Sequence, residues 1–254
     1  MPGIARGALA VLALLLAAGP SGAQDSIQVR HLLALNVSRL APFHRTYDII
    51  VHHEGVDTVI GTREVMLEPS ELAGAGGWLL VERRSGSVPA ADSLFLAPDA
   101  RPVRWSSVVG AARLAAAFIG DTLVGATTVG SAKVNLLLAG RPDLLVSGSM
   151  VELVLGLLPL DADWRDSAAV LAADVSRRVV VPVELTMLGP DEVRMDDLTS
   201  RPALVVSLRS ERQSVLYWVD AESGAVLRMQ QLLPPHVGSL LEYRLRRPPE
   251  PTAW

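Results

Sequence analysis

The feature that most restricts the fold is a long succession of short runs in which apolar and polar side chains alternate. In the first of them Tyr47, Ile49 and Val51 share one face, and the β-branched content is high. Turn signals separate such runs about every eight to twelve residues, which is typical of all-β folds. The pattern predicts a mainly β protein, built as a single curved antiparallel sheet or open half-barrel.

The predicted strands extend from Phe43 almost to the C-terminus. The first run ends at the turn Glu54-Gly55-Val56-Asp57, and Thr58–Glu68 returns as the second strand of a hairpin. A later turn is predicted at Gly189-Pro190-Asp191, and Pro182 places its strand at an edge or a bulge. The other predicted strands are Trp78–Arg84, Ser93–Ala97, Arg101–Val109, Arg113–Ile119, Thr122–Val129, Lys133–Ala139, Ala168–Ala173, Arg178–Leu188, Val193–Leu198, Ala203–Arg209, Val215–Asp220, Val226–Gln231 and Leu240–Arg246.

One segment in the middle of the chain has the composition of a helix. Ser147 or Ser149 can cap it, Pro159 ends it, and its residues are apolar on almost every side. A helix of this kind must be buried, so we expect it to pack against the concave face of the sheet. Glu152 and Gly156 interrupt its apolar run, which is too short to span a bilayer.

The N-terminus has the three-part layout of a secretory signal peptide. Arg6 precedes an apolar run from Ala8 to Ala18, and small residues follow, so we place the cleavage after Ala23. The predicted organisation is a signal peptide (residues 1–23), an N-terminal arm (24–42), one antiparallel β domain (43–246) and a disordered tail (247–254). We therefore expect an exported protein, periplasmic or extracellular, with no transmembrane span once the signal is removed.

Composition excludes several classes of function. The chain has 254 residues, 23 Lys and Arg, 27 Asp and Glu, and no Cys. With a net charge of −4, the chain lacks the excess of basic residues that nucleic-acid binding needs. Without Cys there are no disulfides, thiolate zinc sites, Cys nucleophiles or lipidated cysteine. Arg outnumbers Lys by 22 to 1, a bias typical of GC-rich bacterial genomes.

Candidate metal ligands are dense at one place only. His52, His53, Glu54 and Asp57 lie together, and His53 with Asp57 are the candidates for a metal site. Adjacent strand residues point to opposite faces, so His52 and His53 cannot easily share an ion, and the HExxH spacing is absent. Solvated histidines at a strand end are the interpretation we favour. No cofactor is predicted.

No motif for a catalytic residue stands out. The sequence has no G-x-S-x-G nucleophile elbow, no S-x-x-K, no Walker loop and no Asp-Thr/Ser-Gly of an aspartic protease. A triad assembled from distant residues stays open, because triads are recognised in space rather than in sequence.

Binding is the function that the apolar excess favours. Half the residues are apolar and the mean hydropathy is +0.33, partly because of the signal peptide. A curved sheet with an apolar concavity could hold a lipid, another hydrophobic ligand or an envelope protein. The candidate ligand-binding residues are Trp105, Tyr217 and Trp218, although strand-borne aromatics more often serve packing.

The second half resembles an uncharacterised exported bacterial family, domain of unknown function 3108. The residues that carry the resemblance are the strand patterns Val179–Val183, Asp191–Val193, Ala203–Val206, Leu216–Asp220 and Gly224–Arg228. The resemblance implies an exported, curved antiparallel sheet with a central helix. By analogy with periplasmic lipoprotein carriers it suggests an apolar groove, and it supplies no functional residues.

Three functions remain from the sequence. The first is a non-enzymatic envelope protein that binds an apolar ligand, lipid or partner protein in a β-sheet concavity. The second is a structural or accessory module that acts by surface contacts. The third is a hydrolase, which predicts a His within reach of a carboxylate and a Ser in a cleft. We favour the first.

Overall fold

The described residues form one large antiparallel sheet and one α-helix. The computed structural model describes residues 35–87, 89–120, 122–139, 147–158, 168–174, 179–195, 198–210, 213–233 and 239–246, with only the backbone given for 139 and 168–182. The predicted signal peptide, most of the arm and the predicted tail lie outside these ranges. A short 3-10 helix, Val37–Arg39, precedes the sheet.

Fourteen strands are seen in the described part of the chain, and each pairs antiparallel with its neighbours. They are β1 (Phe43–His53), β2 (Val56–Leu72), β3 (Ala75–Gly86), β4 (Ala90–Leu96), β5 (Pro102–Val109), β6 (Ala112–Ile119), β7 (Thr122–Val129), β8 (Ala132–Ala139), β9 (Ala168–Asp174), β10 (Val179–Arg194), β11 (Ser200–Arg209), β12 (Ser214–Asp220), β13 (Val226–Leu232) and β14 (Ser239–Leu245).

The sheet is a meander whose two halves meet at its centre. The strand order is β8-β7-β6-β5-β4-β3-β2-β1-β14-β13-β12-β11-β10-β9, so β1 pairs with β14 and the first and last strands lie side by side. The sheet curls until Cα atoms of β8 and β10 come within 8 Å of each other. It is open, and the predicted mainly β class with a curved antiparallel sheet is confirmed.

The helix α1 (Gly148–Leu157) lies where the sequence predicts it. The Ser147 hydroxyl accepts a hydrogen bond from the Met150 amide at 3.3 Å, which satisfies one of the amides left open at a helix start. Every α1 residue from Ser149 to Leu155 is buried. The helix contacts β3 and β13, one strand from each half of the sheet, so it fills the interior of the curl.

One predicted turn is wrong. Gly189-Pro190-Asp191 does not reverse the chain, because β10 continues to Arg194 through a register shift between Met187 and Gly189. Gly189 has φ +130, a conformation that favours glycine, and it absorbs the extra residue of the bulge. The reversal comes later, where the Met195 amide donates to the Thr199 carbonyl. One long bulged strand therefore replaces two predicted strands.

Candidate functional site

A buried ion cluster joins α1 to the inner face of the sheet. Arg63 of β2 donates to Glu82 of β3, with Nη2 and Oε2 at 2.9 Å, and its Nη1 pairs with Oε1 of Glu152 in α1. All three residues are at most 5% exposed. The Arg63 guanidinium lies 5.4 and 5.5 Å from the ring centroids of Tyr47 and Tyr243. One cation thus holds two carboxylates from different elements inside the protein.

The two carboxylates of the cluster differ in their affinity for a proton. Burial raises the pKa of both, but the charge of Arg63 and its hydrogen bond prevail at Glu82, whose pKa is lowered. At Glu152 burial prevails over Arg63, with Glu82 adding repulsion, and the pKa is raised. Arg63 therefore compensates the buried charge of Glu152 less fully than that of Glu82.

A cleft opens beside Glu152, at the end of the sheet where β1 begins. Its volume is about 180 Å³. The chain before β1 forms one wall, β1 and β2 a second, and α1 with the β12–β13 turn the rest. The lining residues are Arg39, Leu40, Ala41, Pro42, Phe43, Arg45, Leu67, Glu152, Leu153, Gly156, Leu157, Ser223 and Gly224. Most of the lining is apolar, with one carboxylate and two guanidinium groups among it.

The β12–β13 turn that borders the cleft is fixed by a single carboxylate. Asp220 Oδ1 accepts hydrogen bonds from the amides of Glu222 and Ser223 at 3.0 and 2.7 Å, and from the Ser223 hydroxyl at 3.0 Å. Gly224 then adopts φ +69 and its amide returns to the Asp220 carbonyl at 2.9 Å. Aspartate followed by serine and glycine is a sequence that favours such a turn.

The chain before β1 is held against α1 and this turn. The Asn36 amide donates to the Leu157 carbonyl at 2.9 Å, near the end of the helix. Arg39 Nη2 donates to the Glu222 carbonyl at 3.1 Å. These two bonds close one side of the cleft with backbone that belongs to no strand.

Two polar atoms in the cleft-lining residues are buried without a hydrogen-bond partner among the described residues. They are Oε2 of Glu152 and Nε of Arg45. The Arg45 guanidinium stacks on Phe43, 3.9 Å from the ring centroid, which fixes its plane. An unsatisfied buried polar atom costs about 1–3 kcal/mol, so a ligand that supplies a donor and an acceptor here would offset that cost.

The three candidate aromatic residues are all buried and are not brought together. Trp105 and Tyr217 lie on the inner face of the two halves of the sheet, within the hydrophobic core. Burial raises the pKa of the Tyr217 hydroxyl, with Glu152 adding to the shift. Trp218, the neighbour of Tyr217 on β12, faces the other side. None of the three lines the cleft.

Trp218 belongs to a stacked polar group on the outer face. The Arg228 guanidinium lies 3.8 Å from the Trp218 ring centroid, and the indole Nε1 donates to Asp191 Oδ2 at 2.7 Å. That hydrogen bond is the first cause of the lowered pKa of Asp191. Because Arg228 covers the ring, Trp218 packs the outer face and offers little surface to a ligand.

The histidine pair is split between two faces, as the strand geometry predicts. His52 Nδ1 lies 2.6 Å from Asp57 on β2, and its Nε2 lies 3.4 Å from Glu242 on β14. His53 turns instead to the Ser239 hydroxyl, 2.8 Å from its Nδ1. His53 and Asp57 therefore do not converge, and no three metal-ligating side chains gather within the described ranges.

His53 and Ser239 supply two parts of the arrangement that a hydrolase would need. The third, Glu54, lies 3.9 Å from His53 Nε2 with its side chain 85% exposed, so solvent weakens their interaction. The group sits at the end of the β1–β2 hairpin, and the cleft is lined by other residues. The geometry gives no support for assigning a nucleophile here.

Sequence reasoning missed the residues that line the polar part of the cleft. Glu152 was considered only as an interruption of an apolar segment, and Arg45 was not considered. Two signals pointed to them: a lone carboxylate in an otherwise apolar helix, and arginines at inward-facing positions of β1 and β2. Arg45 shares a strand face with Tyr47, and Arg63 shares one with Val65.

Comparison with known proteins bears on the fold only. No family model matches the sequence, and no curated protein matches it. The structure is similar to the crystal structure of a β-barrel-like protein of domain of unknown function DUF1849 from Brucella abortus, with a TM-score of 0.52. The two chains are 13% identical over 82% of this chain and 96% of the other. This likeness supports a β-barrel-like architecture.

Among the residues that the structure describes, no helix is both long enough and apolar enough to cross a bilayer.

Proposed function

We propose that the protein is an exported, non-enzymatic binding protein whose ligand occupies the cleft beside Glu152. A β-barrel-like fold of this type is compatible with a ligand-binding or an accessory role. The observation that carries the proposal is a cleft whose apolar walls contain a buried carboxylate with an unpartnered oxygen. Polar groups placed sparingly in an apolar lining are typical of ligand sites.

The size of the cleft limits the ligand. Its volume of about 180 Å³ corresponds to roughly six water molecules at about 30 Å³ each. Sites for drug-sized molecules are larger, about 300–1,000 Å³. Since α1 fills the interior of the sheet, a whole lipid does not enter it. The ligand is therefore a small molecule, or the head or chain end of a larger one that extends past Pro42.

Export and family membership form part of the same proposal. The N-terminal pattern around Arg6 and Ala23 supports a signal peptide, and the curved antiparallel sheet agrees with what the resemblance to domain of unknown function 3108 implies. N-terminal sequencing of the protein recovered from a bacterial envelope fraction tests the export and the signal cleavage. A mature chain that starts at Gln24 is expected, and an intact Met1 on cytoplasmic protein contradicts it.

Native mass spectrometry with lipid extraction of the same sample tests the binding function. Protein purified gently after export is expected to carry a defined additional mass. Ala41→Trp, which fills the cleft from its wall, should remove that mass. Val59→Trp, at an exposed position away from the cleft, is the control and should retain it. An unmodified mass in every preparation, or equal retention by both variants, contradicts the proposal.

An accessory role through surface contacts is the second candidate. It is favoured by exposed apolar side chains near one edge of the sheet, where Ile119 of β6 and Leu137 of β8 lie on the same outer face and are 68% and 69% exposed. Exposed apolar patches on one face are typical of contact surfaces. Cross-linking in intact envelopes tests it: one defined partner should be lost in Leu137→Asp, and an unchanged cross-linking pattern would contradict it.

A further inference from the structure

We propose that the cleft recognises a zwitterionic head, an ammonium group and an anionic oxygen on one molecule with a short apolar substituent. This inference rests on the proposed function and names the chemistry of its ligand. It is carried by two groups of opposite charge in one small site, the Glu152 carboxylate and the Arg45 guanidinium, each of which has one buried atom without a hydrogen-bond partner in the described structure. A free amino acid and the head of an ethanolamine phospholipid share this chemistry.

The carboxylate side of the site is already organised. Arg63 holds Oε1 of Glu152 and leaves Oε2 without a partner in the described structure. The residue is 2% exposed, so water does not readily compensate that oxygen. An ammonium group has three N–H donors and a full charge, and it satisfies such an oxygen better than a neutral donor does.

The cationic side lies on the neighbouring wall. Arg45 is fixed against Phe43, and its Nε–H has no acceptor in the described structure. Arg39 adds a second positive charge at the rim while one of its nitrogens is bound to the Glu222 carbonyl. A carboxylate or phosphate oxygen of the ligand would accept from Arg45 and would be attracted by Arg39.

The combined charge of the site favours a zwitterion over a single charge. A simple anion would meet Arg45 but lie close to the Glu152 carboxylate, and a simple cation would meet Glu152 but lie close to two arginines. Like charges in a poorly hydrated cleft repel strongly. The remaining lining, Leu40, Phe43, Leu153 and Leu157 among it, accommodates an apolar substituent of a few carbons.

Isothermal titration with three matched compounds tests the head group. Norleucine carries both charges, hexanoate lacks the ammonium group and pentylamine lacks the carboxylate. Norleucine is expected to bind at least about tenfold more tightly than either, as the loss of one charge-assisted hydrogen bond entails. A parallel pair of lipids tests the lipid source. Dihexanoyl phosphatidylethanolamine, which carries both charges, is expected to bind at least about tenfold more tightly than dihexanoyl phosphatidylglycerol, which lacks the ammonium group.

Matched variants connect the preference to the site. Glu152→Gln should abolish the preference for norleucine over hexanoate, which lacks the ammonium group. Arg45→Met should abolish the preference for norleucine over pentylamine, which lacks the carboxylate. Glu64→Gln is the control, because it removes an exposed carboxylate next to Arg63 on β2 that does not line the cleft. It should keep the preference. Circular dichroism and urea unfolding of each variant show that the comparison is made on folded protein.

The outcomes separate this inference from the proposed function. Preference for norleucine or for the ethanolamine lipid, lost in Glu152→Gln and kept in Glu64→Gln, supports it and identifies the source. If hexanoate or pentylamine binds as tightly as norleucine, the inference is overturned while ligand binding stands. If no compound binds, the inference is overturned, and the proposed function also fails if native mass spectrometry finds an empty cleft.

Discussion

Gly156 of α1 and Gly224 of the β12–β13 turn approach so closely that neither can carry a side chain. A Cβ built on Gly156 would lie 2.6 Å from the Gly224 carbonyl oxygen, and one on Gly224 would lie 2.7 Å from that of Gly156. Both obstructing atoms are backbone, so no rotamer change relieves the contact. This crossing sets how deeply the end of α1 enters the curl, and both glycines line the cleft.

Gly156→Ala is therefore expected to destabilise the protein by about 1–3 kcal/mol, the usual cost of overpacking. Gly148→Ala, in the first turn of the same helix, has nothing within 4 Å of its new Cβ and should be neutral or stabilising by up to about 1 kcal/mol. Urea unfolding of both variants provides the measurement. Equal stability of the two would contradict the close crossing.

The Arg63 cluster should be costly to break and less costly to replace. Arg63→Met leaves two buried carboxylates without their cation and is expected to cost about 3–5 kcal/mol. The triple variant with Glu82→Gln and Glu152→Gln removes the uncompensated charges and should recover a substantial part of that loss. Chemical denaturation of the single and triple variants measures the difference, and no recovery in the triple variant would contradict a buried cluster.

The pH dependence of stability should reveal the raised pKa of Glu152. A carboxyl group whose pKa is higher in the folded than in the unfolded state binds more protons when folded, so its contribution to stability falls as pH rises through that interval. The interval begins near the ordinary value of 4.5. The stability of the wild type relative to Glu152→Gln should fall as pH rises from this value, in urea titrations across the acidic range. A relative stability that rises would contradict the assignment.

Trp218 should matter for stability and not for binding. Trp218→Phe removes the indole donor to Asp191 and weakens the stack with Arg228, for an expected loss of about 1–2 kcal/mol. It should leave the affinity for norleucine unchanged, since Trp218 lies outside the cleft. Phe43→Leu, which alters the ring under Arg45, is the contrasting variant and should weaken binding. Weaker binding by Trp218→Phe would show that the outer face takes part.

Much of the fold follows from local sequence, and the exceptions have physical causes. The turn at Glu54-Gly55 and the cap at Ser147 depend on neighbouring residues, and both lie where the sequence places them. The turn expected at Gly189 was wrong because β11 pairs with β10 both before and after this point, so the strand continues and absorbs the glycine and the proline as a bulge. Whether the chain turns or forms a bulge at Gly189 is decided by its pairing with β11, a later strand.

The polar part of the cleft was beyond local patterns. Arg45, Arg63 and Glu152 come from a strand, its neighbour and a helix about ninety residues later, and the sequence contains no spacing that connects them. Their meeting depends on the way the sheet curls around α1. The aromatic candidates Tyr217 and Trp218, by contrast, are neighbours in the sequence and are separated in the structure. Alternation along β12 places them on opposite faces of the sheet.

The most direct test of the account is to locate the ligand on the protein. Methyl and amide NMR spectra recorded during titration with norleucine, or with dihexanoyl phosphatidylethanolamine if only that binds, report which residues sense it. The account predicts shifts concentrated at Leu40, Phe43, Leu153 and Leu157, and absent in Glu152→Gln. Shifts centred on Trp218 or on Leu137, with the cleft unaffected, would contradict it.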